Sequence, residues 1–365
     1  MKKEKRIIVA GGGTGGHIFP AIAIANALKS MEPSVKILFV GAKGKMEMEK
    51  VPQAGFEIEG LTIAGFNRSS LIKNIALPFK LIKSFMQVSS IFSRFRPDAA
   101  VGVGGYSSFP VLKYAQVKGI PTFIHEANSF GGKSNILLSK KATMVFTATD
   151  GMEKFFPEQK IIVSGNPVRQ SILETQISKN EGCAKFGLNG AKKTVLCVGG
   201  SLGAKSINEA IDKGLNELVA EGIQVIWQTG KPYRDKGMQR GKNIDGVFVS
   251  DFITEMQYAY AAADVVVSRS GAMALSELCV VHKPAILVPF PFAAEDHQTA
   301  NARNLVNKNA ALMVADNEAG EKLVSTIMSL INNEGKKEEM KQNISKLAIR
   351  DADKVVAENI LRNIS

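Results

Sequence analysis

The stretch SRSGAMALSELCVVHKPAILVPFPFAAEDHQ, residues 268–298, decides the fold class. It follows the run Ala263–Val267, which reads as a buried parallel strand. Gly271-Ala272 then opens a helix with Glu277 in its early turns, and Ala285–Val288 is the next strand. That strand enters a loop punctuated by Pro289 and Pro291 and reaches the polar cluster Glu295-Asp296-His297-Gln298. Strand, small-residue turn, helix and strand in succession is the unit of a parallel α/β sheet. The start of its helix is a site for an anion such as a pyrophosphate, because unpaired N–H groups and the helix dipole converge there. A carboxylate a turn or two inside, Glu277, is placed to accept ribose hydroxyls. The stretch therefore reads as a nucleotide-diphosphate site.

Outside it, the same unit recurs. Ile7–Ala10 is a strand, followed by GGGTGGH at 11–17 and a helix over Ala21–Leu28, with Pro20 suited to the first turn. Gly11, Gly13 and Gly16 satisfy the dinucleotide fingerprint, but the next strand, Lys36–Val40, ends in Gly41-Ala42-Lys43 with no acid for a ribose. What survives is a backbone-lined cradle for a phosphate or a sugar. Ala99–Val103 leads into the glycine turn Gly104-Gly105-Tyr106, and Pro121–Ile124 delivers His125-Glu126-Ala127-Asn128 at its C-terminal end. Ligands of open α/β sheets bind at such ends; a capping role for Asn128 is the alternative. Met144–Thr147 and Ile161–Ser164 close the series.

After Gly165-Asn166-Pro167-Val168-Arg169 the pattern restarts with Thr194–Val198, the turn GGSLGA at 199–204 and a helix through Ile207–Leu218. Val225–Gln228 and Val247–Val249 are further strands, and Asp251–Met256 is a loop into the helix before Ala263. The expected architecture is two Rossmann-like domains facing each other across a cleft, 1–165 and 166–338, with a terminal helical segment 339–365. Asp351 and Asp353 on that segment read as water-facing acids, and no spacing of His, Cys or acids points to a metal.

Composition narrows the class. With 365 residues, 45% hydrophobic and 22% charged, the chain is an ordinary globular protein long enough for two domains. No apolar run reaches the length of a transmembrane helix, and Met1–Arg6 is followed by too short an apolar run for a signal peptide. Cys183, Cys197 and Cys279 fit a reducing cytoplasm. Of the net charge of +12, +11 lies through Gly165 (22 Lys and Arg against 11 Asp and Glu) and +1 after it (24 against 23). One-sided basicity points to nucleic acid, anionic membrane or a phosphorylated substrate. Few aromatics accompany the basic residues, which argues against nucleic acid.

Asn67–Pro97 contains six basic residues and no acid. Leu71, Ile75, Phe79, Ile82 and Met86 recur at helical spacing, with Lys73, Lys80 and Lys83 between them. The segment reads either as an ordinary packed surface helix or as an interfacial helix kinked at Pro78 that docks on an anionic membrane through Ile75, Phe79, Lys80, Ile82 and Lys83.

Seven motifs in order, GGGTGGH, GGYSSFP (104–110), HEAN (125–128), GNPVR (165–169), GGSLGA, SRSGAMALSE (268–277) and EDHQTANA (295–302), cover almost the whole chain. In these the chain resembles the MurG family of bacterial peptidoglycan glycosyltransferases, which convert lipid I to lipid II. The resemblance implies the GT-B fold with the final helix crossing back to the first domain, UDP-N-acetylglucosamine as donor, lipid I as acceptor and a peripheral position on the cytoplasmic face of the cell membrane. Cell-wall synthesis proteins would be possible partners; no metal, no cofactor and no nucleic acid are implied.

Residue by residue, the resemblance implies that Ile253 presents backbone groups to uracil and Glu277 takes the ribose. Ser201 and the turn at Gly271-Ala272 would sit at the diphosphate, with Met273, Ala274, Leu275 and Ser276 beside it and Arg169 also on the donor. Gln298 would bind sugar hydroxyls. Thr14, Gly15, Gly16 and Asn128 would complete the donor site, and Gly104, Gly105 and Tyr106 would face the acceptor. Ala127 and Leu202 stand where the family usually has Gln, and His297 stands at a position that can also be Gln.

For an inverting transfer a general base is needed. His17 is favoured, because an ordinary pKa of ~6.5 suits proton uptake near neutrality. His125 and Glu126 are rivals, and His17 could instead orient the acceptor diphosphate. A UDP-sugar diacylglycerol glycosyltransferase, a UDP-N-acetylglucosamine epimerase and a non-catalytic basic binding module are the competing readings.

Overall fold

The computed structural model describes residues 4–63, 77–173, 176–200 and 202–364. The chain divides into two compact units, Met1–Val168 with Arg350–Ser365, and Arg169–Ile349. The first break falls at Val168 rather than Gly165. The returning segment begins at Arg350 rather than at 339, because the helix Glu334–Ser345 buries Lys337, Met340 and Ile344 as part of the second unit.

In the first unit, strands β1 (Arg6–Ala10), β2 (Lys36–Ala42), β3 (Glu57–Leu61), β4 (Ala99–Gly102), β5 (Thr122–Glu126), β6 (Met144–Thr147) and β7 (Ile161–Val163) form one sheet, ordered β3-β2-β1-β4-β5-β6-β7. All its pairings are parallel. Alternate residues go to two buried faces: Ile7, Val9, Phe39 and Val101 to one, Ile8, Ala10, Leu38 and Val40 to the other. Burial on both faces is why the strands read as continuous apolar runs. The final helix, Ala352–Arg362, closes the first of these faces with Val356, Ala357 and Ile360.

The second unit repeats the plan with β8 (Thr194–Val198), β9 (Gln224–Gln228), β10 (Val247–Ser250), β11 (Val265–Ser268), β12 (Ala285–Leu287) and β13 (Leu312–Met313), ordered β10-β9-β8-β11-β12-β13 and again parallel. In each sheet the strand order reverses once: between β1 and β4, and between β8 and β11. Loops leaving the carboxyl ends of strands at such a reversal part and leave a crevice, where ligands of open α/β sheets bind. The glycine turns after β1, β4 and β8 and the Ser268–Gly271 turn after β11 all lie at these points.

Three local expectations change. The first helix spans Gly15–Met31, not Ala21–Leu28, so the glycine turn supplies its first turn and Pro20 lies inside it. The terminal stretch is two helices, with Asp351 as the N-cap of the second. The basic segment forms a helix over Leu77–Phe95 with Pro78 as its second residue, a position where proline starts a helix instead of kinking it. Ile75 lies outside the described residues. No described helix is long and apolar enough to cross a membrane.

Candidate active site

In the first unit the turn after β1 enters a helix whose N-cap is Thr14; the Thr14 carbonyl accepts from His17 N at 3.1 Å and Ile18 N at 3.2 Å. Gly15 and Gly16 open the first turn, so His17 rides on it, beside the N–H groups that favour an anion. The His17 ring Nδ1 lies 3.2 Å from the Gly12 carbonyl and 3.4 Å from Thr14 Oγ1. A carbonyl accepts only from a protonated nitrogen, so this contact selects the Nδ1–H tautomer and leaves the lone pair of the neutral ring on Nε2. The Nε2 edge lies over Gly104: a Cβ on that residue would stand 2.7 Å from it. The two glycine turns also interlock, since a Cβ on Gly105 would stand 2.3 Å from the Gly12 carbonyl oxygen. Ser108 ties them further, its Oγ donating to Ala10 O and Gly104 O, each at 2.8 Å. Tyr106 is half exposed beside them.

The HEAN cluster is built differently. His125 is buried and its Nε2 donates to the Gly165 carbonyl at 3.0 Å, while Nδ1 is buried without a hydrogen-bond partner among the described residues. Burial, opposed by the Gly165 bond, holds its pKa below the usual histidine value. Both oxygens of Glu126 are engaged. Oε1 accepts from Asn128 N and Nδ2, each at 3.2 Å; Oε2 accepts from Gly132 N at 3.0 Å and Asn135 Nδ2 at 2.9 Å. Glu126 thus organises the loop 126–135, with Asn128 as one of its partners, and His125 pins it to Gly165. Among the three candidate bases, His17 is the one only partly buried.

In the second unit the helix Ala272–Val280 starts after Gly271, which adopts an extended N-cap conformation. Met273, Ala274 and Ser276 are half-buried along it, and Leu275 and Glu277 are buried. Arg169 forks onto Glu277, Nε to Oε1 at 2.8 Å and Nη2 to Oε2 at 3.0 Å, and the Tyr260 hydroxyl donates to Oε2 at 3.0 Å. Burial works against the charged guanidinium, but the bond and charge of Glu277 outweigh it and raise the Arg169 pKa. Burial, then Glu277, holds the Tyr260 phenol well above its ordinary value.

Two residues expected at the donor have hydrogen-bond partners within the protein. The Ile253 N–H donates to Gln228 Oε1 at 2.9 Å, and Gln228 Nε2 donates to Gly200 O at 3.1 Å, so that amide is engaged within the protein. Gln298 Oε1 accepts from Phe290 N at 3.0 Å, and its carbonyl accepts from buried Ser270, so this residue braces the proline loop. Ser201 lies outside the described residues. Among the described residues no group of His, Cys and acids could hold a metal.

Both halves match a family model over most of the chain: residues 7–147 fit the glycosyltransferase family 28 N-terminal domain and 194–356 its C-terminal domain. The chain belongs to glycosyltransferase family 28. It is 50% identical, over 99% of its length and 97% of the relative's, to the Phocaeicola vulgatus protein named UDP-N-acetylglucosamine--N-acetylmuramyl-(pentapeptide) pyrophosphoryl-undecaprenol N-acetylglucosamine transferase. A Bacteroides fragilis protein of the same name is 50% identical, with 98% of this chain and 95% of that one covered. The crystal structure of Acinetobacter baumannii MurG superposes with a TM-score of 0.81 at 27% identity, covering 98% of this chain and 99% of that one. The two-domain α/β fold of the GT-B type is therefore established for this family 28 chain.

Three functional candidates of this family 28 chain escaped the sequence reading. Tyr260, in the helix Met256–Ala262, braces Glu277; Gln228 bridges Ile253 and Gly200; and Glu47 sits beneath the first glycine turn, accepting from Gly13 N at 2.8 Å and Ala42 N at 2.9 Å. Gln228 closes a strand that was read, so its place at a carboxyl end was an available signal. Nothing in the sequence separates Glu47 from its neighbours.

Proposed function

We propose that this chain transfers N-acetylglucosamine from UDP-N-acetylglucosamine to the 4-hydroxyl of undecaprenyl-diphospho-N-acetylmuramoyl-pentapeptide, lipid I, giving lipid II with inversion. The observation that carries this reading is the full-length likeness to transferases named for that donor and acceptor. The acceptor oxygen attacks the anomeric carbon from the face opposite the leaving group. The C1–O bond to the β-phosphate breaks with its electron pair on UDP, and the acceptor proton passes to His17 Nε2. The tautomer selected by the Gly12 carbonyl supports His17 as base over His125, whose Nε2 is engaged with Gly165, and over Glu126, whose oxygens each accept two bonds. Leaving-group charge falls on the Ala272–Val280 helix start and on Arg169 once the donor has drawn it from Glu277. Glu277 then serves the ribose, with Gln298 Nε2 and the Ile253 carbonyl as the remaining polar contacts.

The acceptor's lipid puts the enzyme at the cytoplasmic face of the membrane as a peripheral protein. The Leu77–Phe95 helix supports this: Phe79, Ile82 and Met86 share an exposed face, while Val88, Ile91 and Phe92 pack in the core.

A steady-state assay with UDP-N-acetylglucosamine and a lipid I analogue, with and without chelator, tests the reading. The expected product is the disaccharide lipid with stoichiometric UDP. Release of UDP without lipid acceptor, or transfer to diacylglycerol instead, overturns it. Loss of a general base typically lowers the rate by about 10²–10⁴, so a His17→Ala enzyme that keeps most of its kcat overturns the assignment of the base.

A further inference from the structure

Glu47 begins the short helix Glu47–Gln53, yet its side chain leaves that helix and runs beneath the turn after β1, where it is 1% exposed. Its carboxylate accepts the backbone N–H of Gly13 (Oε2, 2.8 Å) and of Ala42 (Oε1, 2.9 Å), and no Lys or Arg pairs with it among the described residues. A buried carboxyl group whose hydrogen bonds go to two backbone amides is costly to place. The surroundings are shaped to admit it. A Cβ on Gly12 would stand 2.3 Å from the carboxylate and one on Gly41 2.5 Å from Glu47 Cγ, so no side chain fits at either position while Glu47 keeps its place. The cradle after β1 is thus folded round a carboxylate of the protein itself, which takes the Gly13 amide that would otherwise be open to a phosphate.

From there the connection to the ring is short. Glu47 fixes Gly13 and walls in Gly12; the Gly12 carbonyl meets His17 Nδ1 at 3.2 Å; and Gly105 packs on that same carbonyl. We propose that Glu47 is a positioning residue that orients the His17 ring and fixes its tautomer through the Gly12 carbonyl. This rests on the reading of His17 as base only for its effect on rate; the effect on the ring stands without it.

Glu47→Gln tests this, because the amide fills the same space but turns one acceptor into a donor facing a backbone N–H. With the purified full-length variant, ¹⁵N histidine NMR is expected to show His17 moving from the Nδ1–H tautomer towards a mixture. Displacement of a reacting group by about 1 Å can cost on the order of 10² in rate. The expected kcat therefore falls by roughly that factor and the acid limb of its pH profile shifts. Glu47→Asp, which keeps the charge but retracts it, is expected to lie between the two and provides the readout if the Gln variant does not fold. A wild-type tautomer and kcat in a folded variant overturn the proposal. A changed tautomer with unchanged kcat upholds Glu47 as the positioner and overturns His17 as the base.

Discussion

Arg169 grips both carboxylate oxygens of Glu277, at 2.8 and 3.0 Å, and Tyr260 adds a third bond at 3.0 Å. All three residues belong to the second unit. The arrangement fixes the carboxylate's orientation, and the planar guanidinium fork that does so is also well matched to the diphosphate of the proposed donor. Under the proposed reading a ribose hydroxyl reaching Glu277 would donate to the same oxygens, which would couple donor binding to the release of Arg169.

Tyr260→Phe removes one bond to a charged group without opening a cavity. Such bonds contribute about 1.5–3 kcal/mol, so the donor KM is expected to rise by roughly tenfold or more while kcat stays within about twofold. Steady-state kinetics with UDP-N-acetylglucosamine measures both, and an unchanged KM means that Tyr260 does not orient Glu277.

Arg169→Lys separates charge from geometry. An ammonium meets its partners from one nitrogen and lacks the parallel two-nitrogen fork of the guanidinium, so if Arg169 serves the leaving diphosphate, the lysine enzyme loses kcat as well as donor affinity. A loss confined to KM would assign Arg169 to holding Glu277 alone.

Gln228→Leu strips the acceptor from Ile253 N–H and the donor from Gly200 O inside a buried site. Each unmet group costs about 1–3 kcal/mol. The expected result is a lower Tm together with UDP binding weakened by about tenfold or more in calorimetry. A drop in Tm with unchanged UDP affinity would make Gln228 a purely structural brace.

What the sequence disclosed and what it hid follow from the same physics. Strands buried on both faces, such as Thr194–Val198, declare themselves as apolar runs with matching ends. Glu57–Leu61 did not, because it sits at the sheet edge with Glu57 and Glu59 breaking the run. The position of His125 at a strand's end was legible, but the burial that lowers its pKa and the carbonyl 40 residues away that accepts its Nε2–H come from the rest of the fold. Glu47 and Glu49 flank one methionine and look alike in sequence; only the path of the helix start turns the first inward and leaves the second exposed. Partners across the fold, not residue type, distinguish such side chains.

The depressed pKa of His125 has a consequence for stability. Its folded value lies below 6.5, chiefly through burial, so between that value and 6.5 the unfolded chain binds more protons than the folded one. Stability contributed by the neutral ring is then present above about pH 6.5 and is lost as the pH falls through this window. The Tm is expected to decline on acidification below pH 6.5. His125→Gln, which keeps an N–H to offer Gly165, is expected to flatten that decline; an identical pH dependence in the variant would place the acid sensitivity elsewhere.

The exposed face of the Leu77–Phe95 helix gives the last prediction. Phe79, Ile82 and Met86 are 73%, 61% and 69% exposed, at spacings of three and four residues, and Lys83 lies on the exposed side with them. Full burial of one such side chain is worth about 1.5–3 kcal/mol, and a basic residue near an anionic leaflet adds about 1 kcal/mol. Even partial insertion of the three apolar groups amounts to roughly 3 kcal/mol, or about a hundredfold in partition. A Phe79→Ser, Ile82→Ser, Met86→Ser protein is expected to bind anionic vesicles about a hundredfold more weakly in co-sedimentation. Its Tm should be unchanged, because Val88, Ile91 and Phe92 hold the helix to the core. The same protein should retain its rate on a water-soluble acceptor analogue and lose it on acceptor embedded in vesicles. Equal vesicle binding by the variant and the wild type would mean that this face meets something other than lipid.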